Sequence, residues 1–234
     1  MELTLDLWLW QLDVDDAEIQ AFERHLSTDE ISRGASFVFE KDRRRFIAGR
    51  GRLREIMGLE TGQAPEKLRL EYDTGGKPYL SNGPAFNLSH SGGWAALVIS
   101  PGPSIGVDIE AHRPVEKSVA DHFFSPNEQT ALHNLSDDAW LAAFFRCWTR
   151  KEAYLKACGT GLWSPLSSFD VTLDSDTDTR ISRIAHATDH PDLWTLLHLN
   201  LGPDFTGAIA VRAAVATRIV YHGHHPPLSV QPQG

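Results

Sequence analysis

Ser104-Ile-Gly-Val-Asp-Ile-Glu110 alternates in character at every second position. Ile105, Val107 and Ile109 fall on one side, and Gly106, Asp108 and Glu110 on the other, which is the period of a strand with one buried face. Both carboxylates therefore project the same way, about 6.6–6.8 Å apart along the strand. Two anions at that spacing can share a divalent cation, directly or through a water. A solvated acidic face has the same pattern, so this stretch fixes a strand and leaves its chemistry open.

Downstream, Phe144 to Ala157 reads FFRCWTRKEAYLKA, with Phe144, Phe145, Trp148 and Leu155 marking the buried side of a helix. Glu152 and Lys156 lie four apart on one helical face. They form either a surface pair contributing about 0.2–0.5 kcal/mol or part of a site.

This strand and helix belong to a pattern that occurs twice. Ser27-Thr-Asp-Glu30 and Ser125-Pro-Asn-Glu128 both fit a capping box, with Pro126 at the first helical position. Each is followed by a long helical stretch running into glycine, Asp42 to Met57 before Gly58 and Ala139 to Ala157 before Gly159. Each half then turns into a short apolar strand, Gly93-WAALVIS and Gly207-AIAVRA. The fold class is therefore α+β, two similar lobes of residues 1–102 and 103–222 with a loose tail over 223–234, and any site belongs in the cleft between the lobes. Ser100-Pro-Gly-Pro-Ser104 reads as the link. The tail from His222 onward carries three histidines, which read as bystanders.

The chain has 234 residues, 41% hydrophobic and 23% charged, so it can bury a core as a soluble globular protein. MELTLDLWLWQLDVDD alternates Leu3, Leu5, Leu7 and Leu9 and then turns acidic, which reads as a strand and not as a leader. No run reaches the roughly 18 apolar residues of a membrane span. Cys147 and Cys158 lie about 16 Å apart along one helix, too far to pair, which suits the cytoplasm. The net charge of −9 argues against nucleic acid as a partner. Seven of the 22 basic residues nevertheless fall between Lys41 and Arg54, either a site for a small anion or a solvated helix face.

FNLSHSG at Phe86 to Gly92, IGVDIE at Ile105 to Glu110, FFSPNE at Phe123 to Glu128 and WTRKEAYLKACGTGL at Trp148 to Leu162 resemble, in order, the signature motifs of Sfp-type 4′-phosphopantetheinyl transferases. GGKPYL at Gly75 to Leu80 and the basic helix RRRFIAGRGRLR add to the likeness, which covers roughly residues 20 to 170. The resemblance implies a pseudo-twofold monomer that moves the phosphopantetheine arm of coenzyme A onto a serine of an acyl, peptidyl or aryl carrier protein. It implies Mg²⁺ held by Asp108, Glu110 and Glu152, with catalysis by Glu152, Lys156 and Asp108. Coenzyme A would meet Arg33, Arg45, Arg50, Lys77, Ser89, His90, Asp108 and Lys156. Glu30 stands where some relatives carry a basic residue beside the 3′-phosphate. The polar loop Asn87 to Ser91 lacks the G-x-S-x-G frame of a hydrolase nucleophile, so His90 is a hydrogen-bonding contact and not a base. The segment from His112 to Phe124 is a candidate docking loop. A magnesium-dependent diphosphate hydrolase and a non-catalytic coenzyme A or partner-binding module are the competing readings.

Overall fold

The computed structural model describes residues 2–102, 104–159, 165–186 and 188–223. The first half runs β1 (Leu3–Gln11), α1 (Asp16–Glu23), α2 (Thr28–Ala35), α3 (Glu40–Thr61), β2 (Glu71–Tyr72), β3 (Pro78–Tyr79), β4 (Ala85–Ser91) and β5 (Trp94–Ser100). The second runs β6 (Ile105–Ala111), α4 (Lys117–Phe123), α5 (Pro126–His133), α6 (Asp137–Cys158), β7 (Phe169–Val171), β8 (Ile181–Ile184), β9 (Thr195–Asn200), β10 (Phe205–Val211) and β11 (Thr217–Gly223). One sheet has the order β11-β1-β5-β4 and the other β6-β10-β9, with two ribbons, β2-β3 and β7-β8.

Four layers result. Trp10, Phe86, Leu97 and Ile99 pack under α3 with Ile47, Leu53 and Met57. Leu5, Leu7, Leu9, Ala96 and Val98 instead meet Ile105, Val107, Ile109 and Ile209 across the space between the sheets. Strand β5 is buried on both faces, which is why Trp94 to Ile99 is continuously apolar where β1 alternates. Helix α6 covers the outer face of the second sheet, with Phe144, Phe145 and Ala153 packed near Ala208 and Ala210. It lies directly on β6, because a Cβ at Gly106 would stand 2.1 Å from the Ala153 carbonyl oxygen.

Both capping boxes form, and their glutamates do more than cap. Glu30 bonds Arg54 of α3 at 2.7 Å, and Arg54 also donates to the carbonyls of Pro65 and Leu68. Glu128 stands 2.8 Å from Lys151 of α6, which donates to the carbonyls of Leu166 and Phe169. All four side chains are buried. In each half, then, a buried cation on the long helix ties the capping glutamate to the chain that follows that helix.

Three boundaries differ from those expected. Helix α3 continues through Gly58 and ends at Gly62, whose φ of 66° forms the left-handed cap. Gly58 is small because the returning chain crosses it, with Gln63 donating to its carbonyl at 2.9 Å. Gly207 sits inside β10 and not in the turn before it. His222 and Gly223, assigned to the tail, belong to β11, which pairs parallel to β1. The His222 ring stacks on Trp8 at 4.3 Å and its Nε2 lies 2.8 Å from Asp6 Oδ1. The remaining tail and residues 160–162 of the last motif fall outside the described residues. Both cysteines lie on α6 as free thiols. Among the described residues no helix is long and apolar enough to cross a membrane.

Removing one partner of a buried ion pair strands the other charge. Glu128→Ala is expected to lower the unfolding free energy by about 3–5 kcal/mol in urea titrations. A loss below about 1 kcal/mol would mean that Lys151 is satisfied by carbonyls alone.

Candidate active site

The segment Asn87 to Ser91, expected as a loop, is strand β4 at the edge of the first sheet. Its neighbour across the gap is β6, the edge of the second. No backbone ladder joins them. Instead Asn87 Oδ1 accepts from Val107 N–H at 2.9 Å, Ser89 Oγ from Ile109 N–H at 3.3 Å and Ser91 Oγ from Ala111 N–H at 3.1 Å. The strand period places these three side chains on one face and Leu88 and His90 on the other.

On the Ser89 side lie the acidic groups. Asp108 is buried, and its Oδ1 accepts from Lys156 Nζ at 2.6 Å and from Ser89 Oγ at 3.0 Å. Its Oδ2 is buried without a hydrogen-bond partner. Glu110 Oε2 accepts from Ser91 Oγ at 2.7 Å and from Arg113 at 2.8 Å. Glu152 lies one helical turn before Lys156. Burial pushes the Asp108 and Glu152 carboxyls above their usual range, and each is raised further by neighbouring acids, while Lys156 pulls both down.

Among the described residues no group of three or more His, Cys, Asp or Glu side chains is already arranged around a metal-sized point. Lys156 and Arg113 instead serve as the cations of Asp108 and Glu110. The donor set still fits a hard divalent ion. It offers oxygen alone, one Asp108 oxygen is buried without a hydrogen-bond partner, and Glu152 is raised by burial and then by Asp108 beside it.

On the His90 side, a cavity of about 270 Å³ is lined by Arg33, Phe37, Arg45, Phe46, Arg50 and His90 among others. Four residues assigned to coenzyme A by resemblance meet here. Arg50 is buried, its Nη1 has no partner, and burial pulls its pKa down. Arg45 spans Asp13 through Nε and Nη2 at 2.7 and 2.6 Å. Partial enclosure, then the Lys156 charge, lowers the His90 pKa and favours the neutral ring.

Three other residues make their contacts within the protein. Lys77 is absent from this lining, for its Nζ donates to the carbonyls of Ile105 and Lys156 at 2.7 and 2.8 Å and clips β6 to the end of α6. Burial brings its pKa down to about 8. Ser89 is spent on β6, Asp108 and Lys156. Glu30 holds its cap and Arg54 through Oε2, while its buried Oε1 has no hydrogen-bond partner and lies 4.0 Å from Arg50 Nε. Sequence reading gave no role to Asn87, Ser91, Phe46 or, beyond marking the candidate loop, Arg113. The polar period of β4, set against the period of β6, was the available signal for the first two.

Residues 104–211 match the family described as the 4′-phosphopantetheinyl transferase superfamily, and residues 10–102 match 4′-phosphopantetheinyl transferase, N-terminal. The 4′-phosphopantetheinyl transferase HetI of Nostoc sp. is 38% identical over 212 residues, 88% of this chain and 86% of the relative. The chain belongs to the 4′-phosphopantetheinyl transferase family. The transferase Sfp of Bacillus subtilis is 30% identical over 68% of this chain and 71% of its own. The holo-[acyl-carrier-protein] synthase of Thermotoga maritima superposes with a TM-score of 0.36 at 18% identity, over 49% of this chain and 64% of that one.

The raised carboxyl pKa values of this transferase make its stability depend on pH in a defined direction. A group whose pKa is higher folded than unfolded favours folding below its unfolded value, and that advantage is lost as pH rises through the folded value. For Glu152 the loss begins near the ordinary value of 4.5. Glu152→Gln is therefore expected to raise the thermal midpoint of the ligand-free protein near neutral pH. The gain should shrink toward zero below the ordinary glutamate value of 4.5. A gain that is constant with pH would assign it to packing.

Proposed function

We propose that the protein transfers the 4′-phosphopantetheine group of coenzyme A to a serine hydroxyl of an apo carrier protein, releasing 3′,5′-ADP, with Mg²⁺ as cofactor. One observation carries this reading. The two faces of β4 present opposite unmet needs, a buried Asp108 oxygen without a hydrogen-bond partner on the Ser89 side and a buried Arg50 N–H without one on the His90 side, where the anion facing Arg50 is Glu30 at 4.0 Å. A metal-bound diphosphate attached to a phosphorylated nucleoside answers both.

Arg33, Arg45 and Arg50 then hold the nucleotide phosphate, with the neutral His90 ring as a hydrogen-bonding partner. Asp108, Glu110 and Glu152 hold magnesium, which supplies Lewis-acid neutralisation of the diphosphate. Lys156, already beside Asp108, adds positive charge where the leaving phosphate forms. Glu152 accepts the proton of the carrier serine as its oxygen bonds to phosphorus and the bond to the nucleotide phosphate breaks. Burial, which raises its pKa above the ordinary glutamate value, makes it a better proton acceptor than an exposed carboxylate. A groove of about 290 Å³ lined by Val115, Val119, Phe144, Phe145 and Trp148, with Arg113 at its rim, leads from Glu110 and is the proposed carrier contact. Two free thiols support a reducing, cytoplasmic setting, and the paired halves support a monomer.

Incubation with coenzyme A and an apo carrier protein is expected to add about 340 Da to the carrier by intact-mass spectrometry. Unmodified carrier with consumed coenzyme A would instead indicate a hydrolase. Glu152→Gln should keep coenzyme A binding in calorimetry while turnover falls by roughly 10²–10⁴. Turnover within a few-fold of the parent would remove Glu152 from proton transfer. Val115→Asp should raise KM for the carrier more than KM for coenzyme A, and equal effects would place the carrier elsewhere.

A further inference from the structure

Ser89 and Ser91 repeat one arrangement two residues apart. Each Oγ accepts the backbone N–H of the residue after a carboxylate, Ile109 at 3.3 Å and Ala111 at 3.1 Å. Each donates its own hydrogen to that same carboxylate, Asp108 Oδ1 at 3.0 Å and Glu110 Oε2 at 2.7 Å. A hydroxyl has one hydrogen to give and two lone pairs to fill. With Lys156 Nζ also 3.1 Å from Ser89 Oγ, the Ser89 hydroxyl has nothing left to offer a ligand.

The consequence lies on the other oxygens. A carboxylate on a flexible stem rotates unless one oxygen is pinned, and here the backbone N–H leaves each serine hydrogen little direction but toward its carboxylate. Asp108 is thereby held with Oδ2 buried and unpartnered. Asn87, the third rung, accepts from Val107 N–H alone and touches no carboxylate. The same strand thus contains two rungs that orient acids and one that only joins β4 to β6.

We propose that Ser89 and Ser91 are positioning residues for the transfer reaction, each holding one oxygen of its carboxylate so that the other is left for a divalent cation. This rests on the reading of Asp108, Glu110 and Glu152 as the cation's ligands. Ser89 acts through Asp108, its hydroxyl being filled by protein partners.

Mn²⁺ titrated into the protein with coenzyme A, followed by electron paramagnetic resonance, tests this directly. Ser91→Ala should weaken Mn²⁺ binding at least about tenfold, the usual result of losing a hydrogen bond to a metal ligand. Turnover should fall by a similar factor, with KM for coenzyme A within about twofold. Ser91→Thr, which keeps the hydroxyl, should restore both, and Ser91→Cys, a poor donor of similar size, should not. Asn87→Ala should lower the thermal midpoint while leaving Mn²⁺ affinity within about twofold. Parental Mn²⁺ affinity in both Ser91→Ala and Ser91→Cys would overturn the positioning role while leaving the cation reading intact. Absence of Mn²⁺ binding by the parent protein would overturn the cation reading and the positioning role together.

Discussion

Three amide hydrogens of β6 are satisfied by side chains of β4 and not by carbonyls of another strand. Side chains reach further than a backbone ladder, so the two sheets meet at their edges without merging. The apolar faces of β1 and β5 can then lie against β6 and β10 as a sandwich. The same rungs place Ser89 against Asp108, and Asp108 meets Lys156 from α6. A continuous backbone ladder would have drawn the strands together and closed the space that the acidic groups occupy.

The long helices are held by a second repeated device. Glu30 with Arg54 and Glu128 with Lys151 are buried pairs whose cations also saturate two carbonyls. A buried ion pair contributes little net stability compared with apolar side chains, but it tolerates few alternative arrangements. The end of α6, which carries Glu152 and Lys156, is further fixed by Lys77 bridging the carbonyls of Ile105 and Lys156. Positioning of the acidic groups is thus a property of buried polar contacts, while the apolar layers supply most of the driving force.

Much of this was legible in the sequence because it rests on local rules. The alternation in Ile105 to Glu110 gives a strand with its acids on one face, Ser27 and Ser125 give caps, and the end of α6 at Gly159 follows from its left-handed conformation. What escaped depends on partners distant in the chain. Gly58 has the residue type of a cap but serves a close crossing, and the type alone cannot distinguish the two uses. Lys77 sits in a motif but faces backbone carbonyls, and His222 looks like tail until β1 is placed beside it. Among the site residues, Arg33, Arg45, Arg50 and His90 converge as a group. The carboxylates come with Lys156 and Arg113 as countercharges, and no sequence pattern marks the Arg113 contact with Glu110.

Strand β11 completes the first sheet by lying parallel to β1. Every residue between Gln11 and Thr217 must therefore be made before Leu3 to Leu9 gain their outer neighbour. During synthesis on the ribosome, the nascent first half carries an open, leucine-rich edge that no local segment can cover. Such an edge is a template for wrong pairing. Closing it requires a pairing between strands near the two ends of the described residues, and contacts so distant in sequence form slowly.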